Sequence, residues 1–323
     1  RLKTLMMYSR LKDIPAIKGT LIATPERVLI VCVILIAMSY GVYTHAIFTA
    51  DNMNLQAGPP VGGDFVAFWS AARAVLDGLA ADIYQMKNFE AYLMENAMPR
   101  ERFGLTWQYP PTYFFFILPL AALPFLPGYF LWSGGTMALF MLVIAKTCDL
   151  RRAGLLILFA APVMFNAVIT GQNGFLTASL LVLAAAWPDK RPIMAGIAAG
   201  LLTFKPQLGV LLPVAFIAAG CWRAFASAAV TAILLAGASV ALFGIETWQA
   251  FIESIINVSG GVKDSLYPIH KMPTVFAAFH KSGLPSDIAM GLQVVSALGA
   301  MILIALVLSL LGVGLTGVGG VAP

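Results

Sequence analysis

Apolar and polar positions alternate in long blocks along this chain. The first apolar block covers residues 28–49, and from residue 110 onward further blocks follow one another with short polar breaks. Several blocks approach the roughly 20 residues that a helix needs to cross about 30 Å of hydrocarbon. A helix also satisfies its backbone polar groups without water, so we expect membrane helices. The later blocks are 112–126, 128–146, 153–169, 174–187, 193–204, 207–220, 225–243 and 288–313.

This pattern predicts an all-α polytopic membrane protein with about 8–10 transmembrane helices. No repeat and no low-complexity linker divides the chain, so residues 28–313 are best described as one membrane domain. A basic segment, residues 1–27, precedes this domain. The chain starts with Arg1 and ends in a glycine-rich run at 314–323, so we expect both ends to be incomplete.

Charge in the breaks predicts the orientation of the helices. Lysine and arginine are concentrated in residues 1–27 and in three breaks, which we expect to be cytoplasmic by the positive-inside rule. The remaining breaks, "GQN" (171–173) and "KPQ" (205–207), then lie on the outer side. So do two long polar stretches, 50–109 and 244–287. The three basic breaks are 146–152, 188–192 and 221–224.

The first outer stretch contains two predicted helices. "DFVAFWSAARAVLDG", residues 64–78, carries apolar side chains at helical spacing, which is typical of an amphipathic helix that lies on a membrane surface. "DIYQMKNFEAYLMEN", residues 82–96, is the second candidate. The apolar positions of the first are Phe65, Phe68, Trp69, Ala72 and Leu76.

The run "YPPTYFFFILPLAALPFLPG" conflicts with a simple helix count. If 112–126 and 128–146 each cross the membrane, Arg151 and Arg152 lie outside, against the positive-inside rule. Five prolines would also disrupt a straight helix here. We therefore interpret residues 110–127 as a segment that enters the membrane and returns on the same side. The alternative is an ordinary crossing followed by arginines outside.

Composition agrees with the membrane class and excludes others. The 323 residues are 60% hydrophobic and 11% charged, with a mean hydropathy of +0.86, whereas soluble domains carry roughly 25% charged residues. The net charge of +5 comes largely from the N-terminal segment, and no basic patch with aromatic residues indicates nucleic acid as a partner. Cys32, Cys148 and Cys221 show no spacing typical of a disulfide frame or zinc site.

The predicted topology brings unusual polar residues to one membrane face, at its outer boundary. They come from five separate segments, as expected of a site for a substrate with a lipid tail and a polar head. The motifs are "GGDF", "WQYPP", "TGQNG", "FKPQ" and "YPIHKMP". The candidate residues are Asp64, Tyr109, Gln172, Asn173, Lys205, Gln207, His270 and Lys271.

The order and spacing of these motifs resemble polytopic glycosyltransferases of the GT-C class. The chain is most similar to glycosyltransferase family 87, formerly a domain of unknown function, which includes mannosyltransferases that depend on polyprenyl-phosphate-mannose. The resemblance runs from about residue 28 to about residue 313. Relatives often have Asn-x-Ser near residues 272–274, where this chain has "MPT". The sequence of the second outer stretch therefore departs from the family pattern at this point.

The resemblance implies an inverting transferase in the cytoplasmic (inner) membrane with its site facing the periplasm. A polyprenyl-phosphate sugar would be the donor, mannose the family-level expectation, and a lipid or glycan the acceptor. Asp64 would be the general base, and Lys205, His270 and Lys271 would bind the donor phosphate. Tyr109, Gln172, Asn173 and Gln207 would bind substrate. The resemblance implies neither a metal nor a cofactor.

Each candidate also has a simpler interpretation. Asp64 follows two glycines and would be an ordinary helix N-cap, and Gln172 with Asn173 would cap the next helix. Lys205 would extend its ammonium to the membrane interface. Tyr109 would belong to the interfacial aromatic belt. His270 would be a solvated loop residue.

Two other functional classes remain open at this point. Broken helices and a lysine within an apolar region are also typical of transporters for anionic solutes, although no duplicated half is visible. The chain could also be a non-catalytic subunit of a larger membrane complex. A cavity beside Asp64 would favour the enzyme, whereas a scaffold would have this space filled.

Overall fold

A computed structural model describes residues 25–51, 54–55, 60–97, 106–150, 152–263, 272 and 274–310. This part of the chain is helical without a strand, which confirms the all-α prediction. Three 3-10 turns, at Asp82–Tyr84, Pro111–Tyr113 and Leu202–Phe204, join longer helices. The α-helices are α1 (Pro25–Phe48), α2 (Phe65–Leu76), α3 (Met86–Asn96), α4 (Phe114–Ala121), α5 (Phe125–Cys148), α6 (Arg152–Ala160), α7 (Pro162–Ile169), α8 (Gly174–Ala186), α9 (Pro192–Leu201), α10 (Pro206–Gly209), α11 (Leu211–Ala218), α12 (Trp222–Phe243), α13 (Ile245–Lys263), α14 (Val275–Lys281) and α15 (Ser286–Leu310).

Four helices of the described residues are long and apolar enough to cross a membrane: α1, α5, α12 and α15. The pair α6 and α7 adds a fifth span if it is taken as one broken crossing, since the two helices meet at an angle of 57°. Pro162 explains the bend, because proline removes a backbone donor and is tolerated in the first turn of a new helix. The chain is therefore a polytopic membrane protein.

The predicted count of about 8–10 crossings also included shorter apolar helices. By length and composition, the described residues contain only the four or five spans above. The other predicted segments form apolar helices of 10–17 residues, which fall short of a full crossing. They are Pro111–Ala121, Gly174–Ala186, Pro192–Phe204 and Pro206–Ala218.

Residues 110–127 contain one of these short helices. The 3-10 turn at Pro111–Tyr113 leads into α4, the chain turns at 122–123, and Pro124 precedes α5. A helix of this length spans roughly half of the hydrocarbon core. The re-entrant arrangement therefore remains our prediction for this segment.

Both predicted helices of the first outer stretch are present, as α2 and α3. Nine of the 12 residues of α2 are buried, including small ones such as Ala71 and Ala74. This helix packs on α4 and within a cluster of aromatic rings, so its apolar residues contact protein on nearly every side. Its position relative to the membrane surface stays a prediction.

The stretch 244–287, expected to be an outer loop, begins with the long helix α13. Thr247, Phe251 and Ser254 recur at helical spacing and are buried, while Glu246 and Glu253 are exposed. The indole Nε1 of Trp248 donates a hydrogen bond to Ser239 Oγ of α12 at 2.9 Å. The polar face explains why this stretch resembled a loop in the sequence.

Candidate active site

The turn between α7 and α8 is held by hydrogen bonds from three other parts of the chain. Its four consecutive backbone carbonyls, at residues 168–171, each accept a bond from a different donor. This fixes the turn to α1, to α5 and to the residue before α2, and so positions Gln172 and Asn173. The donors are Tyr129 OH to Val168 (2.7 Å), Tyr43 OH to Ile169 (3.3 Å), the Asp64 amide to Thr170 (2.9 Å) and Trp132 Nε1 to Gly171 (3.2 Å).

Glycines allow the "GGDF" and "TGQNG" turns to touch. Gly63 has a φ of +49°, and a Cβ there would lie 3.1 Å from the backbone of Thr170. Gly171 has a φ of +57°, and a Cβ there would lie 2.4 Å from the carbonyl oxygen of Gly62. Positive φ is costly for other residues, and these contacts leave no room for a side chain. The two motifs therefore meet in space.

The "TGQNG" motif holds the Asp64 carboxylate through Gln172. Asp64 is the N-cap of α2, but its side chain makes no capping hydrogen bond. Instead, Gln172 Nε2 donates a hydrogen bond to Asp64 Oδ2. The simple N-cap interpretation of Asp64 is therefore wrong. The same contact gives Gln172 a position beside the predicted base.

Asn173 lies deeper in the protein. It is the N-cap of α8, also without a side-chain capping bond, so the capping interpretation of this motif is wrong as well. Its Nδ2 donates to the Tyr113 hydroxyl at 3.0 Å, and both residues are fully buried. This geometry connects Asn173 to the aromatic residues behind the site, and its contact with substrate stays a prediction.

Lys205 occupies the break between α9 and α10. The 3-10 turn ends at Phe204, Lys205 has φ −132° and ψ 69°, and Pro206 is the first residue of α10. Proline disfavours helical dihedrals in the preceding residue, which accounts for the break. The break was predicted from the sequence. Its consequence is that the lysine side chain leaves the helical path and reaches a cavity.

One cavity of about 480 Å³ collects four of the predicted residues from three separate segments: Asp64, Tyr109, and Lys205 with Gln207. Asp64 and Lys205 are close enough for their opposite charges to interact across it. The space beside Asp64 is thus open, as expected of an enzyme and not of a filled scaffold. Further wall residues come from a loop, from α2, from the 3-10 turn before the lysine, from the start of α10 and from α13. They are Ala67, Phe68, Thr106, Trp107, Gln108, Pro110, Phe204, Pro206, Phe251 and Ile255.

Tyr109 connects the lysine to an aromatic stack. Lys205 Nζ lies 5.8 Å from the centroid of the Tyr109 ring, a cation–π distance. That ring stacks on Tyr113 at 4.4 Å. Burial raises the pKa of the Tyr109 hydroxyl to about 12. A hydrogen bond from Asn173 lowers this pKa and the charge of Asp64 raises it, each by less than burial does. Tyr109 is therefore a neutral hydroxyl at physiological pH.

The structure does not describe the predicted residues of the "YPIHKMP" motif. His270 and Lys271 lie outside the described residues, as does Pro273, so their roles stay predictions. His280 is in α14, where its ring stacks on Phe276 and its Nδ1 lies 3.2 Å from the Leu284 carbonyl oxygen. Within the described ranges, no three His, Cys, Asp or Glu residues are grouped as metal ligands would be.

Comparison with known families decides the class of the protein. The model for glycosyltransferase family 87 matches residues 107–317, about two thirds of the chain. The chain belongs to glycosyltransferase family 87. For this family 87 protein, the match includes Tyr109, Gln172, Lys205 and Gln207 of the site, and it begins after Asp64. No curated protein and no solved structure matches the chain significantly.

Sequence reasoning missed part of the wall of this family 87 site. Thr106 precedes the "WQYPP" motif, Trp107 and Gln108 lie within it but were not among the candidates, and Phe251 with Ile255 comes from α13. The available signal for α13 was the helical spacing of its apolar residues within a polar stretch. Membership of the family makes the protein a membrane glycosyltransferase.

Proposed function

We propose that this glycosyltransferase moves a sugar from a polyprenyl monophosphate to a hydroxyl group of a lipid or glycan acceptor, with inversion at C1. The observation that carries the proposal is the shared cavity of Asp64 and Lys205. A carboxylate and an ammonium on one cavity supply the two groups that the reaction needs: a base for the acceptor and a positive charge for the leaving phosphate.

An apolar groove next to this cavity supports a lipid-linked donor. The groove has a volume of about 250 Å³ and lies between α9, the α10–α11 segment and α12. Pro206 lines both the groove and the polar cavity, so the groove begins beside Lys205. Its walls are almost entirely apolar, as the tail of a polyprenyl chain requires. In the proposed complex, the tail occupies the groove and the phosphate faces the lysine.

The proposed reaction is a single displacement. The acceptor oxygen attacks C1 of the donor sugar and forms the new glycosidic bond, while the bond from C1 to the phosphate oxygen breaks. The electron pair of that bond stays on the polyprenyl phosphate, whose charge the Lys205 ammonium stabilises. The acceptor proton moves to the Asp64 carboxylate, which acts as general base.

Neighbouring residues have supporting roles in this proposal. The Gln172 amide holds Asp64 Oδ2, so the orientation of the base is set before substrate binds. Tyr109 offers a neutral hydroxyl and positions the lysine through its ring. Gln207, at the start of the next helix, offers an amide to the sugar or the phosphate.

The proposed location follows the charge pattern of the sequence. Basic breaks on one side and the site motifs on the other favour an inner-membrane protein whose cavity faces the periplasm. Mannose is our first choice of sugar, from the family resemblance, with arabinose, galactose and glucose as alternatives. Membrane lipids surround the protein, and partner proteins in a membrane complex are compatible with this arrangement.

The test is transfer by the purified protein in lipid nanodiscs. Polyprenyl phosphates carrying radiolabelled mannose, arabinose, galactose or glucose are supplied with membrane lipid as acceptor. We expect one donor to give labelled product together with free polyprenyl phosphate. If the folded protein releases polyprenyl phosphate from none of them, the proposal fails, and a non-catalytic subunit of a membrane complex becomes the better description.

A further inference from the structure

A second polar cavity adjoins the one that contains Asp64 and Lys205. Its volume is about 430 Å³, and three consecutive residues, Thr106, Trp107 and Gln108, line both cavities. The rest of its wall comes from the residues at the start of α3 and from one face of α13. Of its lining residues, only Trp107 and Gln108 belong to a motif of the sequence analysis, "WQYPP". The polar side chains that it adds are Gln85, Glu253, Ser254 and Asn257.

The charge of the second cavity differs from that of the first. Glu253 is exposed to it, and no lysine, arginine or histidine is among its described lining residues. The Glu253 side chain also forms no hydrogen bond or ion pair with another described residue. A carboxylate repels phosphate but accepts hydrogen bonds from hydroxyl groups. The second cavity therefore favours a neutral, hydroxyl-rich ligand over the donor phosphate.

The other polar groups suit the same ligand. Gln85 and Asn257 each carry an amide that both donates and accepts hydrogen bonds, which matches the alternating needs of sugar hydroxyls. The shared wall is fixed in place, because Trp107 is buried and stacks on Phe114 at 5.8 Å. Gln108 Nε2 donates to Thr106 Oγ1 at 2.7 Å, which orders the polar edge between the cavities.

We propose that this second cavity binds the carbohydrate portion of a neutral acceptor, whose reactive hydroxyl extends past residues 106–108 toward Asp64. This inference rests on the proposed function, because it assigns the acceptor half of the same reaction. It divides the site by charge: the phosphate-bearing donor lies near Lys205, and the uncharged acceptor lies near Glu253.

A binding experiment tests the cavity without requiring catalysis. The protein in nanodiscs is mixed separately with methyl α-D-mannopyranoside, methyl β-D-glucopyranoside and methyl β-D-galactopyranoside, and saturation-transfer NMR detects contact with the sugar protons. We expect a signal for at least one glycoside in the wild type and in Asp64→Asn. Glu253→Ala and Asn257→Ala should lose it. Glu246→Ala, the same change on the same helix away from the cavity, should keep it.

The inference is overturned if no glycoside gives a signal with the wild type, or if both cavity variants bind as the wild type does. In the transfer assay, Glu253→Ala should raise the KM for the acceptor by roughly tenfold to a hundredfold, as expected for the loss of a hydrogen bond to a charged group, with the donor KM unchanged. An equal rise in both KM values would also overturn it. A wild type that transfers no sugar contradicts the proposed function, while the NMR result still decides on this cavity.

Discussion

The Gln172 side-chain amide donates a hydrogen bond to the Asp64 carboxylate across 108 residues of sequence. The Asp64 side chain makes no capping hydrogen bond, although it lies at the N-cap position of α2, where capping is the ordinary use of an aspartate. Two turns that touch through Gly63 and Gly171 bring the two side chains together. The contact therefore belongs to the site, and it sets the orientation of the group that we propose as the base.

Replacing Gln172 with Leu should lower kcat by roughly tenfold to a hundredfold, because the carboxylate loses its orientation. Gln172→Glu should in addition move the acid limb of the pH–rate profile to higher pH, since a neighbouring negative charge raises the pKa of Asp64. Both are measured by initial rates of sugar transfer over a pH series. Gln249→Leu, on an exposed position of α13, is the control. An unchanged kcat and an unmoved pH profile would remove Gln172 from the proposed mechanism.

Lys205→Met should lower kcat by roughly a hundredfold to a thousandfold, the usual range for removing one group that stabilises charge in the transition state. Lys205→Arg should retain part of the rate, because the positive charge remains. Rapid-quench measurement of polyprenyl phosphate release gives the rate directly. Lys87→Met removes an exposed lysine of α3 and should have no effect. Equal rates for Lys205→Met and Lys87→Met would show that the cavity lysine does not contact the leaving group.

Ala232→Trp should fill the apolar groove and so weaken the binding of long-chain donors. Ala232 lines the groove on α12, whereas Ile233, the next residue, is 70% exposed on the outside and provides the control Ile233→Trp. We expect about a tenfold rise in KM for a long polyprenyl donor, since each CH₂ kept out of the groove forfeits about 0.8 kcal/mol. A geranyl-type donor should be affected much less. A similar effect on both chain lengths would argue against a tail in this groove.

Gly171→Ala should destabilise the protein by about 2 kcal/mol or more, because alanine is strained at positive φ and its Cβ would meet the Gly62 carbonyl and Phe65. Thermal unfolding in detergent measures the change as a lower melting temperature. Gly174→Ala is the matched control, since a Cβ there would meet nothing within 4 Å. Equal melting temperatures for the two variants would mean that the "GGDF" and "TGQNG" turns can move apart without loss of stability.

Much of the helical framework was predictable because lipid imposes a strong pattern on sequence. Long apolar blocks became α1, α5, α12 and α15, and the amphipathic spacing around Phe65 and Phe68 became α2. The helix α13 was missed because its exposed polar face dilutes the apolar signal. The bend at Pro162 was also missed, since a proline within an apolar block is compatible with both a kink and a break.

The site was predictable only in part, for a related reason. Lys205 was recognisable because a charge beside proline is unusual within apolar sequence. The contact between Asp64 and Gln172 was not, because nothing in the periodicity of either segment tells which helix ends meet. The cavity walls at Thr106 and Gln108 come from a loop without a pattern of its own. Such residues become recognisable as parts of a site only when the packing of α2, α4 and α13 is known.

The most direct test of the account is the single-turnover rate of sugar transfer by Asp64→Asn, compared with Asp82→Asn. Asp82 is an exposed carboxylate of the same outer stretch, so the control repeats the chemical change away from the cavity. We predict a loss of roughly 10²–10⁴-fold for Asp64→Asn, as for removal of a general base, and a wild-type rate for Asp82→Asn. A folded Asp64→Asn protein that transfers sugar at the wild-type rate would contradict the central claim.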